Sequence, residues 1–137
     1  MAGYLTTHVL DIAQGRPAAG IALALWRLTI PMSEQGPTRD PGNLATAGGT
    51  ERQLLVSTRT NTLGRTDAPL LAGEQMVVGI YELVFAVGDY FVQQGLTESL
   101  PPLLDIVPLR FIIRTPTEHY HIPLLTSPWA YSTYRGS

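Results

Sequence analysis

Apolar residues in this sequence alternate with polar ones, or gather in short runs fenced by glycine, proline and asparagine. That pattern commits most of the chain to β-strands. Tyr4 to Asp11 reads as a first strand, closed by the turn-prone Gln14-Gly15-Arg16-Pro17, and Gly20 to Thr29 as a second, ended by Pro31. Arg52 to Thr60 reads as a strand turned by Asn61-Thr62-Leu63-Gly64, and Gln75 to Ala86, the most apolar run, as a buried one. Leu103 to Arg114 contains Pro108, which has no N–H to give a ladder, so that strand belongs at an edge or a bulge. Glu118 to Thr126 and Trp129 to Arg135 are the last two, divided by Ser127-Pro128. Asp89 is placed to cap one short helix and Gly95 to end it. Seven or eight short strands with one small helix are the spacing of an all-β, two-sheet sandwich.

Residues 32–51 break the pattern. Gly36-Pro37, Asp40-Pro41-Gly42 and Gly48-Gly49 are turn-formers with little apolar residue between them, which predicts a surface loop inserted between strands. It is not a domain boundary, because the two strands before it could not bury a core alone. The 137 residues are therefore expected to fold as a single domain, 1–137.

Composition narrows the function classes. A formal charge of -2, with no run of basic residues, gives nucleic acid no electrostatic reason to bind. The nine basic residues are all arginine, to which we attach no functional weight. The absence of cysteine removes disulfides, thiolate nucleophiles and zinc–thiolate sites together. No stretch is long and apolar enough to span a membrane. Thr6, Thr7, His8 and Asp11 interrupt the first apolar run before a secretory signal could form. A cytoplasmic protein is the expectation. A peroxisome is the alternative for a eukaryotic source, although the chain does not end in Ser-Lys-Leu.

Chemistry concentrates in three histidines, His8, His119 and His121, whose ordinary pKa allows acid and base work near neutrality. Strand parity puts His119 and His121 on one face, with Tyr120 and Ile122 on the other, and gives His8 a face shared with Thr6 and Leu10. In an arbitrary chain such histidines are more often surface or satisfied core residues. Three imidazoles could also ligate a zinc ion, but any strand with two alternating histidines offers that spacing, and no metal is expected. Arg65, after Gly64, could hold a carboxylate or a developing oxyanion, where a lone arginine is usually a solvated charge. Tyr134-Arg135-Gly136-Ser137 follows directly on the aromatic-rich Trp129 to Thr133, which suggests a packed tail and a fixed terminal carboxylate.

His119-Tyr120-His121-Ile122-Pro123-Leu124-Leu125, then Ser127-Pro128-Trp129, then Tyr131 to Ser137 closely resembles the C-terminal signature of the 5-hydroxyisourate hydrolases, a transthyretin-like family. Leu5 to Asp11 with Gly15-Arg16-Pro17-Ala18 resembles the family's first strand and turn. Thr60-Asn61, Gly64-Arg65 and Asp67 to Leu71 resemble its central motif, and Gly79-Ile80-Tyr81 agrees as well. The resemblance implies a transthyretin-like sandwich and a homotetramer with active sites in clefts where two dimers meet. It implies that His8, Arg65, His121 and Ser137 are catalytic, that Tyr134, Arg135 and Gly136 contact substrate, and that no cofactor is needed. Thr62-Leu63 stands where the family usually has Ala-Asp, which alters the turn and leaves Arg65 in place.

The substrate so implied, 5-hydroxyisourate, is a lactam. Its opening needs an activated water, a stabilised oxyanion and a proton for the leaving nitrogen. No cysteine is present and no serine sits in a nucleophile-elbow motif, which favours direct attack by water, with His8 and His121 as the acid–base pair in either order. His119→Ala is expected to leave most of the turnover. The rivals are a transthyretin-type carrier of a small ligand with no catalysis, a zinc hydrolase using all three histidines, and a β-sandwich interaction module. Turnover, chelator sensitivity and a packed C-terminus discriminate among them.

Overall fold

The computed structural model describes residues 2–29, 51–96 and 103–136, and the backbone of 32–33 and 36–37. Its strands are β1 (Tyr4–Thr6), β2 (Val9–Asp11), β3 (Arg16–Pro17), β4 (Ala22–Thr29), β5 (Met32–Ser33), β6 (Gly36–Pro37), β7 (Glu51–Arg59), β8 (Leu71–Ala72) and β9 (Gly79–Ala86). The helix α1 (Val87–Gln93) follows, then β10 (Ile106–Ile113), β11 (His119–His121), β12 (Leu124–Thr126) and β13 (Tyr131–Thr133). A 3₁₀ turn, Gly73–Gln75, occupies part of what the sequence pattern assigns to the strand before the helix.

One layer is the antiparallel sheet β10-β9-β4-β7. On β7, Leu55 is an extra residue, since Leu25 faces Val56 while Trp26 faces Leu54. The other layer has β1 and β2 beside β11 and β12, all parallel, at one constant offset: Tyr4 faces His119 and Val9 faces Leu124. The strand expected over Tyr4 to Asp11 is thus two short ones in a single register. Its far-side partner changes from β8 to β3 at the break, while Ile122 N and Leu124 N still donate across it to the Thr6 and His8 carbonyls, both at 2.9 Å. The expected strand over Glu118 to Thr126 divides at the same place, into β11 beside β1 and β12 beside β2. Counting each such pair once, the described residues hold seven strands of three residues or more.

Alternation along β1, β2, β4, β10, β11 and β12 points one face inward. Leu23 and Leu25 of β4, Tyr81, Leu83 and Phe85 of β9, and Val107, Leu109 and Ile113 of β10 meet Leu5, Val9, Tyr120, Ile122 and Leu124 of the facing layer in one core. Burying a side chain of this size contributes roughly 1.5–3 kcal/mol, so apolar burial is the main force holding the layers face to face. On the outer face the buried Glu82 carboxylate is paired with Arg110 at 3.1 Å and Arg52 at 3.5 Å. Pro108 lies on β10, an edge strand, as its missing donor requires.

β9 runs into α1 without a loop, so the cap position falls on Ala86 and carries no side-chain hydrogen bond. Asp89, expected there, sits in the first turn instead, because Val87 and Gly88 are drawn into the buried surface and start the helix earlier. Gly95 takes φ +73 and ends it as expected. Within 32–51, β5 and β6 form a two-residue pair, Glu51 is not loop but the first residue of β7, and residues 34–35 and 38–50 lie outside the described residues. Among the described residues no helix is long and apolar enough to cross a membrane.

Candidate active site

Three pieces of chain bring the histidines and arginine together. The first is the junction of β1 and β2, where inward Leu5, Thr7 and Val9 leave Thr6 and His8 on the opposite face, both part-exposed. The second is β11, whose pairing sets His121 opposite Thr6. The Thr6 hydroxyl lies 2.8 Å from Nδ1 of His121 and 2.7 Å from Nε2 of His119. Tyr4 stacks on the His119 ring with centroids 4.1 Å apart.

The third piece is the turn after β7. Gly64 N donates to the Asn61 carbonyl at 3.0 Å, and Gly64 takes φ +75, a conformation that favours glycine. A side chain there would also collide with the Val9 carbonyl and crowd the His8 ring. Asn61 organises the turn with its side chain: Oδ1 accepts from the amides of Leu63 at 2.9 Å and Arg65 at 3.2 Å. The backbone N–H of Asn61 donates to the Arg65 carbonyl at 2.7 Å. The Leu63 carbonyl therefore has a fixed position, and His8 Nε2 donates to it at 2.9 Å.

Electrostatics ties the pieces together. Burial first, and the Arg65 guanidinium second, hold His8 below the ordinary histidine value, against the hydrogen bond to Leu63. Burial and Arg65 likewise lower His121, with His119 and His8 adding to the effect. One cation thus acts on both imidazoles, and both are kept neutral at pH 7.

The tail closes this face. Gly136 N donates to the His121 carbonyl at 2.7 Å, continuing the antiparallel register in which Thr133 faces Leu124. Tyr134 is exposed. Arg135 lies over the Tyr120 ring at 4.1 Å and donates to the Glu118 carboxylate and the His119 carbonyl, both at 3.3 Å. Glu118, His119, Tyr134, Arg135 and Gly136 border an open depression of about 760 Å³. Ser137, expected at the site, lies outside the described residues. His8, Arg65, His121 and Gly136 are therefore brought together, while Tyr134 and Arg135 flank them on the His119 side.

Thr6 and Asn61 are the residues that sequence reasoning left without a role. The signals were present: Thr6 shares a face with His8, and an asparagine opening a turn before Gly-Arg bonds its own downstream amides. Among the described residues no three metal-ligating side chains converge on one point. His119 is engaged by Thr6 and Tyr4.

A sequence model described as the HIUase/Transthyretin family matches residues 5–136. A protein of Halalkalibacterium halodurans described as 5-hydroxyisourate hydrolase is 44% identical over 100% of both chains. Among solved structures, that of Klebsiella pneumoniae 5-hydroxyisourate hydrolase superposes with TM-score 0.70 at 30% identity, covering 98% of this chain and 99% of that one. The crystal structure of an (S)-allantoin synthase superposes with TM-score 0.80 at 40% identity over 99% of this chain, which spans 44% of that longer one.

Proposed function

The chain belongs to the HIUase/transthyretin family, and from that premise we propose that it is a 5-hydroxyisourate hydrolase, opening its substrate to 2-oxo-4-hydroxy-4-carboxy-5-ureidoimidazoline. The observation that carries the reading is the pair of imidazoles, His8 and His121, both kept neutral beside the single guanidinium of Arg65. A carrier has no use for such a group. A hydrolase needs each part of it.

In this reading one imidazole takes a proton from water as the water oxygen bonds to the lactam carbonyl carbon. The other gives a proton to the ring nitrogen as the C–N bond breaks. Acid–base work of this kind contributes roughly 10²–10⁴ in rate. Arg65 offsets the charge that gathers on the carbonyl oxygen, where a fixed cation acts on the transition state more than on the neutral substrate. Gly136 lets the tail run hard against His121, and Tyr134, Arg135 and Ser137 hold the polar rim of the substrate. The enzyme works as a single hydrolase domain over 1–137, with 32–51 a surface insertion, and as a homotetramer whose clefts lie between dimers.

The test is the ultraviolet decay of 5-hydroxyisourate, freshly made from urate, with untagged protein. Decay should run well above the spontaneous rate, fall by about 10²-fold or more in His121→Ala, and survive largely in His119→Ala. A folded protein that binds the compound without accelerating its decay would replace this reading with the carrier.

A further inference from the structure

We propose that Thr6 is a positioning residue for this hydrolysis: its hydroxyl, backed by His119, holds His121 as the proton donor of the pair and leaves His8 as the base. The inference rests on the reading of His8 and His121 as the acid–base pair.

The argument is a count of protons. The Thr6 hydroxyl has one hydrogen, yet it sits within bonding distance of two imidazole nitrogens, Nε2 of His119 at 2.7 Å and Nδ1 of His121 at 2.8 Å. It can donate to only one of them, and it accepts from the other or, with its own hydrogen turned elsewhere, from both. With neutral rings, two states of His121 satisfy the contacts. In the first arrangement Thr6 accepts from Nδ1–H of His121, whether it donates to His119 or accepts from that ring as well, so Nε2 of His121 is a bare lone pair. In the second, His119 donates through Nε2, Thr6 donates to Nδ1 of His121, and Nε2 of His121 carries the proton.

His8 decides between them. Its Nε2 faces the Leu63 carbonyl oxygen at 2.9 Å, and a carbonyl only accepts. The proton of neutral His8 is therefore on Nε2 and its Nδ1 is the lone pair. The first arrangement would give the site two acceptors and no donor. Opening a lactam needs one of each, and the second arrangement supplies them. His8 Nδ1 takes a proton from the attacking water, and His121 Nε2 gives its own to the leaving nitrogen. Between the two transfers His8 is an imidazolium and His121 an imidazolate, the negative ring offset by Arg65 and His8 beside it, until the proton held by His8 returns to His121 through solvent and both rings end as they began.

The groups around His121 favour this neutral donor. Arg65 and His8 face it from the turn and the β1–β2 junction, and His119 from its own strand. Tyr4 of β1 stacks on His119. Arg135 and Glu118 pair with each other at 3.3 Å on the tail side.

Two measurements test the proposal. Imidazole nitrogen spectra of the ¹⁵N-labelled protein above neutral pH should show His121 protonated at Nε2 and bare at Nδ1, with His8 protonated at Nε2. Thr6→Val keeps the β-branched shape and removes the hydroxyl; kcat should fall about tenfold, the worth of one hydrogen bond, with KM little changed. Thr6→Ser should restore it, and His119→Ala should cost less than Thr6→Val, because Thr6 remains to donate. Nδ1 of His121 found protonated, or Thr6→Val with the parent kcat, overturns the assignment. If Thr6→Val does not fold, the parent spectra still decide the tautomer. Absence of turnover in the parent protein would sink the hydrolase reading separately, whatever tautomer the spectra give.

Discussion

Two imidazoles that resist protonation set how this site answers to pH. His8 and His121 both lie below the ordinary value of 6.5, because burial disfavours the imidazolium and Arg65 repels it. As pH falls below 6.5 the unfolded chain takes up protons that the folded chain refuses, so stability declines from 6.5 down to the lowered values and not above. Activity follows the same sign, and the acid limb of kcat/KM should lie below 6.5. Arg65→Gln removes the cation, so its acid limb should move to higher pH while kcat drops. A limb that stays put in the variant would show that Arg65 does not act on the pair. Gly136 gives a second test at this scale. A Cβ there would stand 2.8 Å from His121 Cδ2 and 3.3 Å from its Cβ and Cγ, on a ring held by Thr6 through Nδ1. Gly136 is not among the glycines with positive φ, so alanine fits its backbone and the ring must yield. Gly136→Ala should therefore lower kcat by roughly 10- to 100-fold with little change in melting temperature. Parent-like turnover would show that the ring has room to move.

The element that carries most of the site is the turn from Asn61 to Arg65. Asn61→Ala leaves the amides of Leu63 and Arg65 without their acceptor, loosening at once the carbonyl that fixes His8 and the guanidinium itself. Denaturant unfolding should show a loss of about 1–2 kcal/mol, and kcat should fall more than that loss alone explains. An activity unchanged in a folded variant would mean that the turn holds its shape without the side chain. This turn was legible as punctuation, from Asn61 and Gly64, but its work was not, because a hydrogen-bond partner is set by geometry that letters do not carry. The strands were legible as alternation. What alternation could not give was the division of Tyr4 to Asp11 into β1 and β2, since the two halves share one pattern and differ only in their neighbours, β8 and β3. The short helix was legible from Gly95, while its start was misplaced because buried Val87 and Gly88, not an Asp89 cap, begin it. Parity alone could not separate His119 from His121, which share a face and a hydroxyl. Only the resemblance separated them.

At the scale of the whole molecule, the described surface near the site carries several exposed apolar side chains. Trp129 is 60% exposed, Tyr134 58% and Leu63 63%, and Tyr131 stands on β13, which among the described residues is an edge strand with one side of its ladder open. Exposed apolar surface of this kind marks an interface, and an unpaired edge invites another strand. Leu63 lies on the turn that holds Arg65, Tyr134 on the tail that pairs with His121, and Trp129 and Tyr131 on the chain leading into that tail. Assembly and catalysis should therefore be coupled. Light scattering at working concentration should give the mass of four chains of 14.9 kDa each. Dilution through the dissociation range should lower the specific activity together with the mass, because the proposed cleft between dimers would lose a wall when they part. Full specific activity in a monomer would place the whole site within one chain and leave the exposed aromatics to be explained by some other partner.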